Sequence, residues 1–368
     1  MGRLPRSPSL SNMKHTFPRP SPRSSRREEA LLLPPSAFRL PPSAFRLPPS
    51  DCQTKNQEPR TKNQEPRTKN QELLSPLPIT FLFSLFPFPL SNPMRFAICN
   101  EHWGNAPFEK VCEDAAACGY QGLELAPFTL KADPRTLDLA DATRLVRIAN
   151  SFGLEIIGLH WLLTKPAWLH ITAPDPLLNN DAKIFGQTLA RFCGALGGKV
   201  MVWGSPKARN LLPEWDRNEA NLRAVDVVRG VAEEAVKHGV TIAMEPLGPK
   251  ETNWMNSAAE GIEFCKLVDH PACKLHLDVK AMSAEDKPIP DIIRDSKEWF
   301  VHFHTNDPNL LGPGMGEVKY EPIIAALNEV GYTGWLSTEV FKYELGPKVI
   351  AQRSIDYLKQ IIASQAKA

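Results

Sequence analysis

Val240–Pro246, Cys273–Val279, Trp299–Thr305 and Gly334–Val340 read VTIAMEP, CKLHLDV, WFVHFHT and GWLSTEV. Each is a short apolar run that reaches a carboxylate or an imidazole near its end, with polar or turn-forming residues beyond it. Continuous apolar runs with β-branched or aromatic residues predict strands buried on both faces of a parallel sheet. When such a sheet closes into a barrel, its strand ends converge on one face, and that face carries the chemistry. Glu245, Asp278, His304 and Glu339 are therefore expected to meet there. Three carboxylates and one imidazole make an oxygen-rich donor set. It suits a divalent metal, with Mn2+ ahead of Mg2+ or Co2+, better than a structural zinc site would.

Working outward from these runs, the alternation extends over the whole C-terminal part of the chain. Strands are expected at 95–99, 122–125, 154–159, 199–203, 240–245, 274–278, 300–304 and 335–339. Helical patterns lie between them. Phe108, Val111, Cys112, Ala115 and Ala116 recur at helical spacing before Gly119, and Ser257 to Glu260 reads as a capping box. Ile323, Ile324, Leu327 and Val330 form an apolar face closed by Gly331. Ile355, Leu358 and Ile362 stripe a last helix. The loop after the third strand runs from His160 to about Asp181 and holds Trp161, Trp168 and His170, which marks it as a lid or pocket wall. Eight strand–helix units after Met94 predict the α/β class and a (β/α)8 TIM barrel over residues 94–368.

The first 93 residues differ in composition. They hold 18 of the 35 prolines and one of the 21 glycines, Gly2. LPPSAFR repeats from Leu33 and TKNQEPR from Thr54, without helical or strand period. Such a stretch buries too little apolar surface to offset chain entropy, so residues 1–93 are expected to be a disordered, low-complexity leader. A repeat of seven codons also fits translated upstream DNA, with Met94 as the true start. The apolar stretch Ile79–Leu90 is too short to span a bilayer and is placed wrongly for a signal peptide. Seven scattered cysteines without a CxxC pair suit reduced core thiols in a cytoplasmic protein. The leader carries 14 of the 43 basic and 6 of the 41 acidic residues, leaving 29 against 35 for the rest. That slightly acidic remainder argues against a nucleic-acid partner, and nothing in it predicts a membrane partner. A small molecule is the expected partner, with the oligomeric state left open.

The gaps between the four strand-end residues are 33, 26 and 35. This order and spacing resemble the sugar isomerase/epimerase superfamily of xylose-isomerase-like TIM barrels, nearest in motif to its ketose 3-epimerases. MEPLGPKETN around Glu245, HFHTNDPN around His304, and Gly314–Phe341 running through Glu339 carry the likeness further. The resemblance implies one divalent metal held by Glu245, Asp278, His304 and Glu339, with Glu245 and Glu339 as acid and base on opposite faces of a keto-sugar. It implies that Glu251 contacts the sugar at its carbonyl end. Asn253, which closes the same motif, and Lys280 are further substrate contacts. There are departures: the branch has a histidine three residues after the aspartate and an arginine six after the histidine, where this chain has Ala281 and Leu310.

The chemistry is consistent with that implication. Removing a proton beside a carbonyl leaves negative charge on oxygen, which a metal can stabilise. Two carboxylates across the plane can remove and return the proton on opposite faces. His160 ends the third strand and faces the same mouth, as an expected substrate contact. Glu124 on the second strand reads equally as a base or a buried partner. Asn100, Glu101 and His102 read as a polar loop, with ligand contact as the alternative. His276 and His302 lie two residues before Asp278 and His304, and so share their side of the strand. The leading expectation is a metal-dependent isomerase or epimerase acting on a ketose through an enediolate. A lyase on a keto-sugar or keto-inositol would use the same site. A DNA-repair endonuclease on this fold would need a histidine-rich multi-zinc mouth and a basic surface. Residues 94–368 expressed alone should fold and match the full chain in activity, because the leader has no packable pattern; an insoluble or inactive truncation would make the leader part of the enzyme.

Overall fold

The computed structural model describes residues 94–365. The expected leader, residues 1–93, lies outside them. The strands are β1 Arg95–Cys99, β2 Gly122–Leu125, β3 Glu155–Leu159, β4 Val200–Trp203, β5 Thr241–Met244, β6 Cys273–Asp278, β7 Phe300–Thr305 and β8 Trp335–Thr338. They match the expected strands to within one residue at each end. All pair in parallel and in chain order, and β8 returns to β1 to close the barrel. The fold is the expected TIM barrel.

Eight helices form the outer ring: α1 Phe108–Cys118, α2 Leu139–Ser151, α3 Pro176–Ala195, α4 Arg217–Ala235, α5 Ala258–Val268, α6 Ile289–Asp295, α7 Tyr320–Glu329 and α8 Pro347–Gln365. Local chemistry sets their starts. Asp138 and Asp141 cap α2 reciprocally, and Asp216 accepts from the Glu219 amide at α4. At α5 the box is half made: Ser257 accepts from the Glu260 amide, while the Glu260 carboxylate reaches the Asn256 amide instead of that of Ser257. Gly331 closes α7 at φ +74°, with the Tyr332 amide on the Leu327 carbonyl and the Gly331 amide on that of Asn328. The loop after β3 is shorter than expected. Pro176 opens α3 and Asp175 accepts from the Leu177 amide, so the helix begins five residues before Asp181.

Burial follows the two-sided pattern of parallel strands. β2 and β4 are buried along their whole length. Ile98, Leu123, Leu159, Met201 and Ile242 pack with α1 to α5, while Leu275, Leu277, Phe303 and Leu336 pack with α6 to α8. The six described cysteines are all buried and unpaired. Among the described residues no helix is long and apolar enough to cross a membrane.

Gly158 marks the closest approach of β3 to β4. A Cβ there would strike the Val200 carbonyl oxygen, a backbone atom that cannot turn aside. Gly158→Ala should therefore lower unfolding stability by about 1–3 kcal/mol, read as a shift in urea midpoint. An unchanged midpoint would mean that the two strands separate at no cost.

Candidate active site

The barrel brings the four strand-end residues to one mouth. The register of β6 and β7 sets Asp278 beside His304 and His276 beside His302. Glu245 directly follows β5, and Glu339 directly follows β8. Ligand atoms of Glu245, His276, Asp278 and His304 all lie within 4.8 Å of one another. Glu339 joins them through His304, whose Nδ1 is 3.2 Å from Glu339 Oε2 and 4.0 Å from Asp278 Oδ2. All five side chains are buried.

Each member is held differently. Asp278 Oδ1 accepts from the Ala281 amide at 2.8 Å and Oδ2 from Asn306 Nδ2 at 2.5 Å. His304 turns its Nε2 to Glu124 Oε2 at 3.1 Å, which leaves Nδ1 facing the carboxylates. The same Glu124 oxygen receives the Ser337 hydroxyl at 2.7 Å and faces His302 Nε2 at 2.8 Å. Glu124 is thus a buried anchor for imidazoles beneath the mouth. Glu339 Oε1 accepts from Trp161 Nε1 at 2.7 Å and faces His160 Nδ1 at 3.1 Å. Glu245 has His276 Nε2 at 3.9 Å, beyond hydrogen-bond reach, while Arg209 Nη1 donates to its backbone carbonyl at 2.7 Å.

The electrostatics reflect crowded negative charge. Burial, then the charges of Glu339 and Asp278, push the Glu245 carboxyl well above its usual range. Burial also raises Asp278; Lys280 pulls it back and Glu339 pushes it further. Burial opposes charge on Glu339 too, but His304 and His160 outweigh it and hold that carboxyl low. His304 is the mirror case: burial disfavours the imidazolium, yet Glu124 and Glu339 raise it well above the ordinary value.

This donor set fits a divalent cation. His276 is fully buried with no hydrogen bond to either ring nitrogen, and Glu245 has no donor on its carboxylate among the described residues. A dication would relieve the repulsion that raises Glu245 and Asp278. Glu245, His276, Asp278 and His304 are grouped closely enough to hold it, with Glu339 beside them on His304.

A pocket of about 380 Å3 opens over this cluster, walled by Trp161, Leu163, Leu247 and Phe341, with Glu245, Glu251 and Glu339 facing in. Lys280 Nζ lies 2.6 Å from Glu251 Oε1 and 4.2 Å from the Phe341 ring centre, so a buried cation is clamped at the pocket wall. Burial opposes that charge, but Asp278 and Glu251 raise its pKa. A larger groove of about 580 Å3 lies on the helical ring at Trp254, Phe264 and Trp299, away from the converging ligands.

Two expected contacts sit elsewhere. Asn253 is exposed, and its amide is used in both directions on the Leu211 backbone, at 2.8 Å each way. It ties the loop after β5 to the loop after β4 instead of facing a substrate. His160 is fully buried behind Glu339, with its other nitrogen 3.1 Å from Glu101 Oε2, so carboxylates occupy both of its polar edges. Trp161 enters the site at the left-handed φ of +50°, whereas Trp168 lies half exposed under Arg135. Sequence reasoning named Glu101 in a polar loop and Trp161 in a pocket wall, and missed that the one faces His160 and the other donates to Glu339.

Fold and site define a (β/α)8-barrel enzyme with a candidate divalent-metal centre at the catalytic face. A family model described as xylose isomerase-like TIM barrel matches residues 112–361, and the chain belongs to that family. It is 29% identical to the D-psicose 3-epimerase of Ruminiclostridium cellulolyticum over 258 residues, covering 68% of this chain and 84% of the relative. It is 25% identical to the L-ribulose 3-epimerase of a Methylomonas species over 260 residues, covering 71% and 87%. The solved structure of D-psicose 3-epimerase with D-tagatose from Clostridium cellulolyticum superposes with a TM-score of 0.65 at 24% identity, covering 73% of this chain and 99% of that one.

Gly204 leaves room for the Glu245 carboxylate, because a Cβ there would overlap Glu245 Oε2. Gly204→Ala should displace that carboxylate and weaken Mn2+ binding by about 10–100-fold, followed by electron paramagnetic resonance titration, with the circular dichroism spectrum retained. Wild-type affinity would show that the ion does not need Glu245 in this place.

Proposed function

We propose that this protein is a divalent-metal-dependent ketose epimerase, inverting the carbon next to a sugar carbonyl through an enediolate. The observation that carries the reading is the convergence of Glu245, Asp278, His304 and Glu339 at the ends of four consecutive strands. The chain's relatives are named ketose 3-epimerases, which favours inversion at C3. Mn2+ is the preferred ion, with Mg2+ or Co2+ as substitutes, since oxygen donors dominate the set. When bound, the ion supplies Lewis-acid stabilisation of negative charge on the sugar oxygens.

The chain's own groups do the proton chemistry. The sugar lies in the pocket between Glu245 and Glu339, against the apolar wall of Trp161, Leu247 and Phe341. One glutamate removes the C3 proton from its face. The C3–H electron pair becomes the new double bond, and the carbonyl π pair moves to oxygen. The other glutamate delivers a proton to the opposite face of C3, and the carbonyl re-forms with that carbon inverted. Exchange with solvent restores both carboxyls. Lys280 and Glu251, paired at 2.6 Å, serve as donor and acceptor respectively for oxygens at the carbonyl end. The tryptophan and phenylalanine wall limits water at the reacting carbon.

The absence of the branch's histidine and arginine, at Ala281 and Leu310, supports a lyase as the second reading, because enolisation is its first step as well. The slightly acidic residues 94–368 support a sugar over a nucleic acid as partner. Six buried free thiols support a reducing, cytoplasmic setting.

Incubation with Mn2+ and D-psicose or D-fructose in D2O, read by NMR, should give deuterium at C3 and the other epimer. EDTA should abolish both. Glu245→Gln and Glu339→Gln should each stop turnover by more than the roughly 10²–10⁴-fold typical of a lost general base, while slow deuterium wash-in persists from one epimer only. Dehydrated product in place of the epimer would establish the lyase. Full activity in EDTA with no metal found by elemental analysis would sink the metal-dependent reading.

A further inference from the structure

Glu101 has an unusual place for a carboxylate. It follows β1, is 5% exposed, and neither of its oxygens makes a hydrogen bond of good geometry within the described residues. The group that meets it is His160, with Nε2 at 3.1 Å from Glu101 Oε2. The other edge of the same ring, Nδ1, is 3.1 Å from Glu339 Oε1. Three buried side chains thus stand in line, from the loop after β1, the end of β3 and the end of β8. Trp161 adds a second donor to the same Glu339 oxygen at 2.7 Å, from a backbone held at φ +50°. Residues in the left-handed region persist only where their surroundings hold them. Neither Glu101 nor His160 lines the sugar pocket, so neither is placed to touch substrate.

The two candidate bases are therefore held unequally. Glu339 has one oxygen tied by an indole and an imidazole, which fixes the plane of its carboxylate and leaves Oε2 facing His304. Glu245 is steered by packing against Gly204, with no donor on its carboxylate. A carboxylate with one oxygen pinned loses rotational freedom, and a base must meet its proton within hydrogen-bond reach.

We infer that Glu101 and His160 form a positioning pair that fixes Glu339 for proton transfer on one face of the sugar, while Glu245 works on the other face without such support. The inference rests on the proposed roles of Glu245 and Glu339. The Glu101 charge faces one edge of the ring, and the other edge orients the Glu339 carboxylate, so that this carboxylate would be already in place for an ion.

The test uses the full chain and the variants His160→Phe, His160→Asn and Glu101→Ala, each checked by circular dichroism. At saturating Mn2+ in D2O, wash-in of deuterium at C3 is measured separately from D-psicose and from D-fructose. His160→Phe and Glu101→Ala should lose about 10–100-fold in wash-in from the epimer that Glu339→Gln also silences. They should keep wash-in from the other epimer within a few-fold. His160→Asn, which restores an amide donor to Glu339, should recover part of the loss. A merely structural role would slow both epimers alike, and that outcome overturns the inference. Mn2+ titration by electron paramagnetic resonance gives a readout free of sugar: affinity should fall in His160→Phe and be intermediate in His160→Asn. If the wild type exchanges neither sugar, the epimerase reading fails, and unchanged Mn2+ affinity across the variants would overturn the positioning role by itself. If His160→Phe does not fold, His160→Asn and Glu101→Ala decide the matter by the same two measurements.

Discussion

Mutual repulsion of buried carboxylates is the constraint on which this site is built. Glu101, Glu124, Glu245, Asp278 and Glu339 are all removed from water at one end of the barrel. Two unit charges 4 Å apart repel by about 4 kcal/mol at the effective dielectric of a protein. The structure answers that repulsion with imidazoles. His302 and His304 face Glu124, and His160 and His304 face Glu339. Lys280 reaches Glu251 and lowers the local cost at Asp278. What remains uncompensated is Glu245, whose carboxyl is driven well toward neutrality by burial and its like-charged neighbours. The gap in the compensation coincides with the unpartnered ring of His276. A dication there would complete the balance, which is why the donor set is more informative than any single residue in it.

Much of this was legible because a parallel barrel imposes strong periodicity. A strand buried on both faces must be apolar throughout, so a carboxylate or imidazole at its C-terminal end stands out, as in KLHLD and FVHFH. The closing topology then places such ends together without further information. Helix ends were legible where the chemistry is local, as at Gly331, and less so where proline and aspartate compete with an aromatic-rich loop, as at Asp175 and Pro176. What the sequence does not carry is rotamer and partner. Nothing in IIGLHW says that the histidine turns behind Glu339 while the tryptophan turns over it. Likewise nothing in KETNW says that Asn253 bridges two loops by pairing with the Leu211 backbone. These depend on pairs 42 to 179 residues apart.

The layering of the site explains how one barrel mouth can hold both a metal and a sugar. The deepest layer is Glu124 with His302, His304 and Ser337, which sets the direction of the one imidazole among the expected ligands. The next layer is the ligand set. Above it lie Trp161 and Phe341, stacked with ring centres 5.9 Å apart, as the apolar wall of the pocket. Each layer constrains the one above it. Asp278, for example, is fixed from below by its register with His304 and from the side by the Ala281 amide and Asn306.

The departures from the epimerase pattern fall in the outermost layer. At Ala281 the residue contributes a backbone amide to Asp278, a service any residue but proline can give, so the position is free to change without loss of the ligand. At Leu310 the backbone again does the work: its carbonyl accepts the amides of Phe341 and Lys342 and so links the loop after β7 to the pocket wall after β8. In both places it is the main chain that makes the contact, and the side chain is apolar. Lys280, next to Ala281 in the chain, is a buried cation held against Glu251 and Phe341. Such a pair is neutral as a unit, unlike a lone arginine, and offers a donor and an acceptor together. The Asp278 carboxylate is thus held by contacts that do not depend on the side chains at positions 281 and 310.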